Sequence, residues 1–271
     1  MNVINIEAGK AQGQYWRDLW RYRELLYFLA WRDILVRYKQ TLIGIAWAVI
    51  RPIITMCVLT FIFGKLAKMT SGGAPYPIFV FCGMLPWQFF SAAFTESGNS
   101  LVSNSGMISK VYFPRLVIPL GSVITSLVDF IISAILLMIM MVYYGLKPSA
   151  SILTLPVFVI LAFGAAIGVG LWVSALSVKY RDFRFIVPFI VQFGLYVSPV
   201  GFSSNVVSRN WHLLYSINPM VGVIDGFRWS ILGNETMEWF SLLISVMGIL
   251  IIVISGFCYF RSTERTFADV I

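Results

Sequence analysis

Apolar stretches long enough to cross a bilayer alternate with short polar stretches along most of the chain. About 18 or more mainly apolar residues indicate a transmembrane helix, because a helix rises only about 1.5 Å per residue. Six stretches have this length, at about 43–66, 78–98, 116–145, 152–178, 185–202 and 240–260. The pattern therefore predicts six membrane-spanning helices.

The stretch before the first span, residues 15–40, has a helical pattern of another kind. Its apolar side chains recur at spacings of three and four and so share one helical face: Tyr15, Leu19, Tyr22, Leu26 and Leu29. The stretch also carries many basic residues: Arg17, Arg21, Arg23, Arg32, Arg37 and Lys39. An amphipathic helix of this kind lies in the headgroup layer, in contact with membrane lipids. A core helix of a soluble protein is the alternative, and the spans that follow disfavour it.

Residues 203–239 are too apolar for a free loop and too broken for a span. We expect two short helices that dip into the outer leaflet, because protein must shield irregular backbone from lipid. A plain cap on the outer face is the alternative. The predicted fold class is an all-α integral membrane protein. It has six transmembrane helices preceded by an amphipathic interfacial helix, with short re-entrant helices before the last span, in a single domain over 1–271.

Composition agrees with a membrane protein, since 59% of residues are apolar, only 12% are charged and the mean hydropathy is +0.83. The positive-inside rule is a sufficient explanation of the net charge of +8, so the charge does not call for a nucleic-acid partner. On the six-span plan, 14 Lys and Arg residues fall on the side of the termini and five on the other. This asymmetry predicts that both termini are cytoplasmic.

Side chains that could carry chemistry are few and scattered. Cys57, Cys82 and Cys258 lie within apolar runs and do not have the spacing of metal ligands. The pattern therefore predicts that they are small core residues. The 12 acidic residues form no cluster at one membrane face, which disfavours a membrane-bound transferase. Asp129 stands alone near the middle of the third span, either as a polar contact between helices or as part of a proton relay. We expect no metal site.

Three segments together resemble the permease of an ABC-2 type exporter for polysaccharides, with the O-antigen and related glycan exporters nearest. They are RDILVRYKQTLIGIAWAVIRP at 32–52, NSGMISKVYFPRLVIPL at 104–120 and INPMVGVIDGFRWSILG at 217–233. Ile43-Gly44 stands where Leu-Gly is usual in the family. The resemblance implies a permease subunit that exports lipid-linked polysaccharide across the bacterial inner membrane. Capsule or teichoic-acid export, or an ABC-2 permease for drugs or small lipids, are the alternatives.

The chain itself is not expected to be an enzyme. It contains no GxxxxGK[ST] phosphate-binding loop. The resemblance implies a homodimer with two copies of a separate ATPase subunit. The chain then binds no cofactor, and ATP and Mg belong to the partner. We expect the ATPase to push on the cytoplasmic segment 102–112 through four residues: Asn104, Met107, Ile108 and Lys110.

The resemblance also implies three further sets of site residues. We expect a substrate entrance formed by Arg32, Arg37, Tyr38, Ile43 and Gly44, with the arginines as phosphate ligands or merely as anchors in anionic lipid. Channel-lining aromatics are expected at Trp47, Phe61, Phe189, Phe193 and Tyr196, although such rings also mark membrane interfaces. A periplasmic gate is expected around Asn218, Pro219, Gly222 and Trp229.

Overall fold

A computed structural model describes residues 12–39, 46–146, 149–233 and 237–267. Within these ranges the chain is helical and contains no strand. The α-helices are α1 (Gln12–Arg21), α2 (Arg23–Lys39), α3 (Ala46–Leu59), α4 (Tyr76–Ser103), α5 (Ser105–Ile108), α6 (Val117–Tyr143), α7 (Leu155–Lys179), α8 (Phe183–Val197), α9 (Arg209–Ser216), α10 (Pro219–Leu232) and α11 (Trp239–Thr263).

Within the described ranges, five helices have the length and apolar character to cross a membrane: α3 with its π-helical continuation, α4, α6, α7 with the short 3-10 turn before it, and α11. The predicted fifth span corresponds to α8, which is apolar but only 15 residues long. The predicted all-α membrane fold is confirmed. The count of six spans stays a prediction, because α8 ends at Val197, short of the expected residue 202.

The amphipathic stretch forms two helices rather than one, with a break at Tyr22. The break is slight, because the Tyr22 amide still donates to the carbonyl of Asp18 at 2.9 Å. Leu29 and Ala30 of α2 are buried. They pack against Gly121 of α6, where a Cβ atom added to the glycine would lie 3.7 Å from the Leu29 side chain. The α2 helix therefore packs on the bundle as well as facing outward.

Helix α4 is the centre of the bundle and has buried residues along most of its length. It packs mainly against α6 and α7. The sequence hints at breaks near Pro86 and Glu96, but both residues lie within the continuous helix. Neighbouring helices therefore support α4 through its proline.

Small residues allow α7 and α11 to approach closely. A Cβ added at Gly168 would lie 2.9 Å from the backbone nitrogen of Val253, and one at Gly256 would lie 2.4 Å from the carbonyl oxygen of Gly168. Only glycine permits this backbone contact, as in other membrane helix pairs with small residues at the interface.

Candidate functional site: a charged cavity between α2, α3, α4 and α6

A cavity of about 760 Å³ lies between α2, α3, α4 and α6, with one side chain of α8 at its edge. Its polar lining includes Arg37, Tyr38, Arg51, Gln88, Glu96 and Asp129. Its apolar lining includes Trp47, Leu85, Phe89, Phe130 and Val191. A space with charged groups and hydrocarbon walls suits an amphiphile better than a fully polar solute.

Arg37 links three helices at this cavity. Its guanidinium donates to Asp129 on α6 at 2.5 Å and to Glu96 on α4 at 2.6 Å. Tyr38 donates its hydroxyl proton to the other carboxylate oxygen of Asp129. Burial, followed by this hydrogen bond, raises the pKa of the Tyr38 hydroxyl above its usual range. The Asp129 side chain is 34% exposed and the Glu96 side chain 49%, so water screens the Arg37–Glu96 pair as in a surface salt bridge and the Arg37–Asp129 pair less.

These contacts change two expectations. Arg37 was expected to face the lipid headgroups, but it turns inward to two carboxylates. Asp129 was expected to be the lone acid within the apolar spans, but Arg37 brings Glu96 beside it. The physical reason is electrostatic, because an acid at this depth is stabilised when a guanidinium is within reach. The contacts agree with a packing role for Asp129.

Arg51 is the second cation of the cavity. It lies over the ring of Trp47, one helical turn earlier on α3, at 5.8 Å from the ring centroid. Among the side chains that the structure describes, no carboxylate pairs with Arg51. Arg51 lines the cavity as an exposed residue, and a guanidinium without an acidic partner is the arrangement expected of an anion ligand.

The predicted entrance residues do not all meet at this cavity. Arg32 instead donates to Asn104 at 3.0 Å and pairs with neighbouring Asp33 at 2.7 Å. It therefore joins α2 to the segment predicted to contact the ATPase. Ile43 and Gly44 lie outside the described residues. Arg37 and Tyr38 are the predicted entrance residues that line the cavity.

The predicted coupling segment contains the short helix α5. Ile108 was expected to project toward a partner, but it is buried in a cluster with Leu29 and Phe113. Met107 packs on the same cluster. The apolar side of α5 is thus used within the chain, and the large exposed side chains of the segment lie at its end: Lys110, Val111 and Tyr112.

A second contact network lies beside this segment. The backbone amide of Arg115 and the hydroxyl of Tyr15 donate to the Glu264 carboxylate at 2.9 and 3.3 Å. Burial is the largest influence on Glu264 and raises its pKa. Arg261 lies 3.7 Å from the ring centroid of Tyr15. The network connects α1, the loop before α6 and the end of α11.

The aromatics predicted to line a channel lie on the exposed surface. Phe189 and Phe193 stack on α8 with ring centroids 6.0 Å apart, and Tyr196 and Phe61 are also exposed. Trp47 is the member of this predicted set that lines the cavity. The other rings face whatever surrounds a single copy, whether lipid or a second subunit.

The predicted gate residues belong to α10 and its start. The side chain of Asn218 accepts from the Met220 amide at 3.0 Å and so caps the helix, which begins at Pro219. Gly222 donates its amide proton to Ser245 at 3.1 Å. Trp229 packs edge-to-face on Trp239 at 6.1 Å. These residues hold α10 against α11, and the gating role stays a prediction.

Sequence reasoning missed three charged residues that the structure makes prominent: Arg51, Glu96 and Arg228. Each lies in an apolar run, and an ionisable residue there is a functional candidate by default. Arg51 lies within the predicted first span, 43–66, and Arg228 is one of the five cations assigned to the outer side on the six-span plan. Arg228 is fully buried, so the residue count for the positive-inside rule included a cation that does not face water.

The fold and the cavity define a multi-pass α-helical membrane protein with ionic groups placed between its helices. More particularly, the chain belongs to the ABC-2 type transporter membrane family, whose model matches residues 24–232. The family inferred from the three motif segments is therefore confirmed. Membership makes the chain a membrane component of an ABC-2 type transporter.

Relatives cover most of the chain at modest identity. An O-antigen export system permease protein RfbA from Klebsiella pneumoniae is 26% identical over 249 residues, or 92% of this chain and 95% of the relative. One from Myxococcus xanthus is 26% identical, covering 78% and 82%. The polysialic acid transport protein KpsM from Escherichia coli is 22% identical, covering 86% and 91%.

Proposed function

We propose that this chain is the membrane subunit of an ATP-driven exporter that moves a lipid-linked polysaccharide of the O-antigen type outward across the bacterial inner membrane. Two copies of the chain work with two copies of a separate ATPase, which binds ATP and Mg. Both termini face the cytoplasm. Family membership and the names of the relatives support the transport class and the polymeric cargo.

The observation that carries the proposal is the cavity between α2, α3, α4 and α6. A lipid-linked glycan has an apolar chain, a phosphate group and sugars, so it needs hydrocarbon walls next to a cation. Leu85 and Phe89 supply such walls beside Arg51. Arg–phosphate contacts are charge-assisted and bidentate, and are among the stronger polar contacts available.

Arg51 and Arg37 have different roles in this proposal. Arg37 is already neutralised by Glu96 and Asp129, so an incoming phosphate must compete with two carboxylates for it. Arg51 faces no carboxylate in the described part of the chain. We therefore assign first contact with the phosphate to Arg51, and the shaping of the cavity to Arg37.

Sugars pass next to aromatic rings in this proposal. Their C–H faces pack on flat rings without selecting a single hydroxyl pattern. The stacked pair Phe189 and Phe193 is exposed on α8, the helix whose Val191 lies at the edge of the cavity. The pair points to another side of α8, because positions two apart do not share a helical face. A path between two copies of the chain places these rings along the polymer.

The test compares two arginines with the same aromatic contact. Arg51 lies over the Trp47 ring at 5.8 Å, and Arg23 lies over the Trp20 ring at 5.4 Å. Arg23 is exposed at the start of α2 and does not line the cavity. We expect Arg51→Gln to lower surface glycan about tenfold, since a charged hydrogen bond contributes about 1.5–3 kcal/mol. Arg23→Gln should leave surface glycan near the parent level.

Surface glycan is measured with the amount of chain in the membrane, in cells whose own copy of the gene is deleted. Lipid-linked polymer should accumulate inside the deletion strain and leave the cell once the parent chain is restored. No accumulation of any lipid-linked glycan would contradict polysaccharide export. Equal export by the Arg51 and Arg23 variants would leave the transport class standing but remove the cavity as the entrance. The polymer that accumulates distinguishes O-antigen from capsule-type cargo.

A further inference from the structure

The segment 198–204 is irregular in conformation and yet buried. It follows α8 and precedes a short 3-10 turn that begins at Ser204. Ser198 and Val200 are almost fully buried, and Ser203 and Ser204 are buried as well. Backbone carbonyls in such a place lack helical partners, and each needs a donor to avoid a cost of about 1–3 kcal/mol.

Arg228 of α10 supplies donors to this segment. Its guanidinium donates to the carbonyl oxygens of Val200 at 2.7 Å and of Phe202 at 2.8 Å. It also reaches the carbonyl of Phe79 on α4 at 3.4 Å and lies 3.9 Å from the centroid of that ring. The side chain is 0% exposed. A buried arginine with this set of acceptors acts as a cap for peptide groups.

The site is built to hold this guanidinium. A Cβ added at Gly83 would lie 2.5 Å from an Arg228 nitrogen and 3.0 Å from the Val200 carbonyl oxygen. The absence of a side chain at Gly83 therefore makes room for both groups. Asp225 lies three residues before Arg228 on α10 and so on the same side of the helix, which places an acid near the buried cation.

Two other side chains hold the same segment. The hydroxyl of Tyr76, at the start of α4, donates to the carbonyl of Gly201 at 2.7 Å. The amide of Asn218, at the start of α10, donates to the Ser198 hydroxyl at 3.0 Å. Segment 198–204 is thus fastened to α4 and α10 at one place, where α8 ends.

We propose that Arg228 is a positioning residue that keeps segment 198–204 closed against α4 and α10, and so sets the outer end of α8. The role rests on the proposed export function, because it treats this end of the bundle as the exit side. A polymer that leaves beside α8 requires α8 to move away from α10. That movement breaks the Arg228 contacts with Val200 and Phe202, so these contacts set the balance between closed and open forms.

A buried cysteine reports whether the segment is closed. The reporter is Val200→Cys in a chain whose three native cysteines are replaced by serine. An impermeant maleimide is added to intact cells, and the labelling rate is measured. We expect slow labelling in the parent and labelling roughly tenfold faster with Arg228→Met, the size expected from loss of a charge-assisted hydrogen bond.

Three companion variants separate positioning from general loss of structure. Arg228→Lys keeps a charge that reaches part of the acceptor set and should restore part of the protection. Gly83→Ala should displace the guanidinium and speed labelling, whereas Gly248→Ala, with no atom within 4 Å of its added Cβ, should not. The Gly83 variant keeps the test decisive if Arg228→Met fails to accumulate.

Equal labelling rates in the parent, Arg228→Met and Gly83→Ala chains overturn the inference. Slow labelling of Arg228→Met together with normal export overturns it as well. Surface glycan, measured in the same cells, tests the proposed function separately. If the parent chain exports no glycan, the proposed function fails, while the labelling rates still report whether Arg228 holds segment 198–204 closed.

Discussion

The ion pair between Arg37 and Asp129 allows a quantitative test of the cavity. The two changes are Arg37→Gln and Asp129→Asn, made singly and together. Each keeps the approximate size of the side chain and removes its charge. If the pair joins α2 to α6 as the 2.5 Å contact indicates, the two changes should not be additive, because each single variant already loses the same interaction.

The size of the effect follows from the partial exposure of the pair. The side chains of Arg37 and Asp129 are 28% and 34% exposed, so water weakens their attraction relative to a fully buried pair. A hydrogen bond to a charged group contributes about 1.5–3 kcal/mol. With screening, and with Glu96 still bound to Arg37, we expect a coupling free energy of about 1–2 kcal/mol.

Thermal unfolding of the purified chain in detergent provides the assay. A loss of this size should lower the Tm of each single variant by about 2–8 °C, and the double variant should fall little further than the worse single one. Glu24→Gln is the matched control, because Glu24 lies on the exposed side of the same helix. If the free-energy change of the double variant equals the sum of the two single changes within about 0.5 kcal/mol, Arg37 and Asp129 are not paired, and the account of the cavity walls fails with them.

Three further predictions concern the ends of the bundle. Thr70→Cys should react with an impermeant thiol reagent outside intact cells and Ser109→Cys should not, and the reverse pattern would invert the proposed orientation. Tyr112→Asp should release the ATPase on purification, because a charge in an apolar socket is costly. Tyr143→Asp is the control, since Tyr143 is exposed at the opposite end of the bundle, on α6, and this variant should retain the ATPase. Retention of the ATPase by both variants excludes Tyr112 as a contact. Burial raises the pKa of Glu264, so the folded chain holds this proton more tightly than the unfolded chain does. The free energy of unfolding should therefore fall as the pH rises from about 4.5 through the raised pKa. Glu264→Gln should flatten this pH dependence, and an unchanged slope in that variant excludes Glu264 as its source.

The helices were largely predictable, because lipid requires every backbone polar group to be satisfied within the spanning segment. Apolar length therefore predicted helices where α4, α6, α7 and α11 lie, although α4 continues five residues past the predicted end at 98. The same reasoning fails at α8, because the apolar run predicts a helix to residue 202 and α8 ends at Val197. The run is apolar because segment 198–204 is buried, and burial does not require a helix when side chains from other elements satisfy the backbone.

The cavity was only partly predictable from the chain. Arg37 and Tyr38 were singled out from a motif, and both line the cavity. Their acidic partners were not identified, because Glu96 is 59 residues from Arg37 and Asp129 is 92 residues away. Local periodicity carries no information on such distant pairs. Asp129 alone was singled out as an acid in an apolar span, and an ionisable residue there needs a partner, but nothing in the local pattern identified that partner as Arg37.

Arg228 and Arg51 differ in burial and in their surroundings, since Arg228 is fully buried and Arg51 is exposed. Arg228 is surrounded by carbonyl oxygens and an aromatic ring, and Gly83 leaves no spare space around it. Arg51 instead faces a cavity of about 760 Å³ with apolar walls. Neutralising a cation that caps peptide groups leaves those groups without donors, which lowers stability. Neutralising one that faces open space leaves the fold nearly unchanged and removes a ligand for an anion. The ratio of lost export to lost stability should therefore be high for Arg51→Gln and low for Arg228→Met, and similar ratios would mean that the cavity does not distinguish the two arginines.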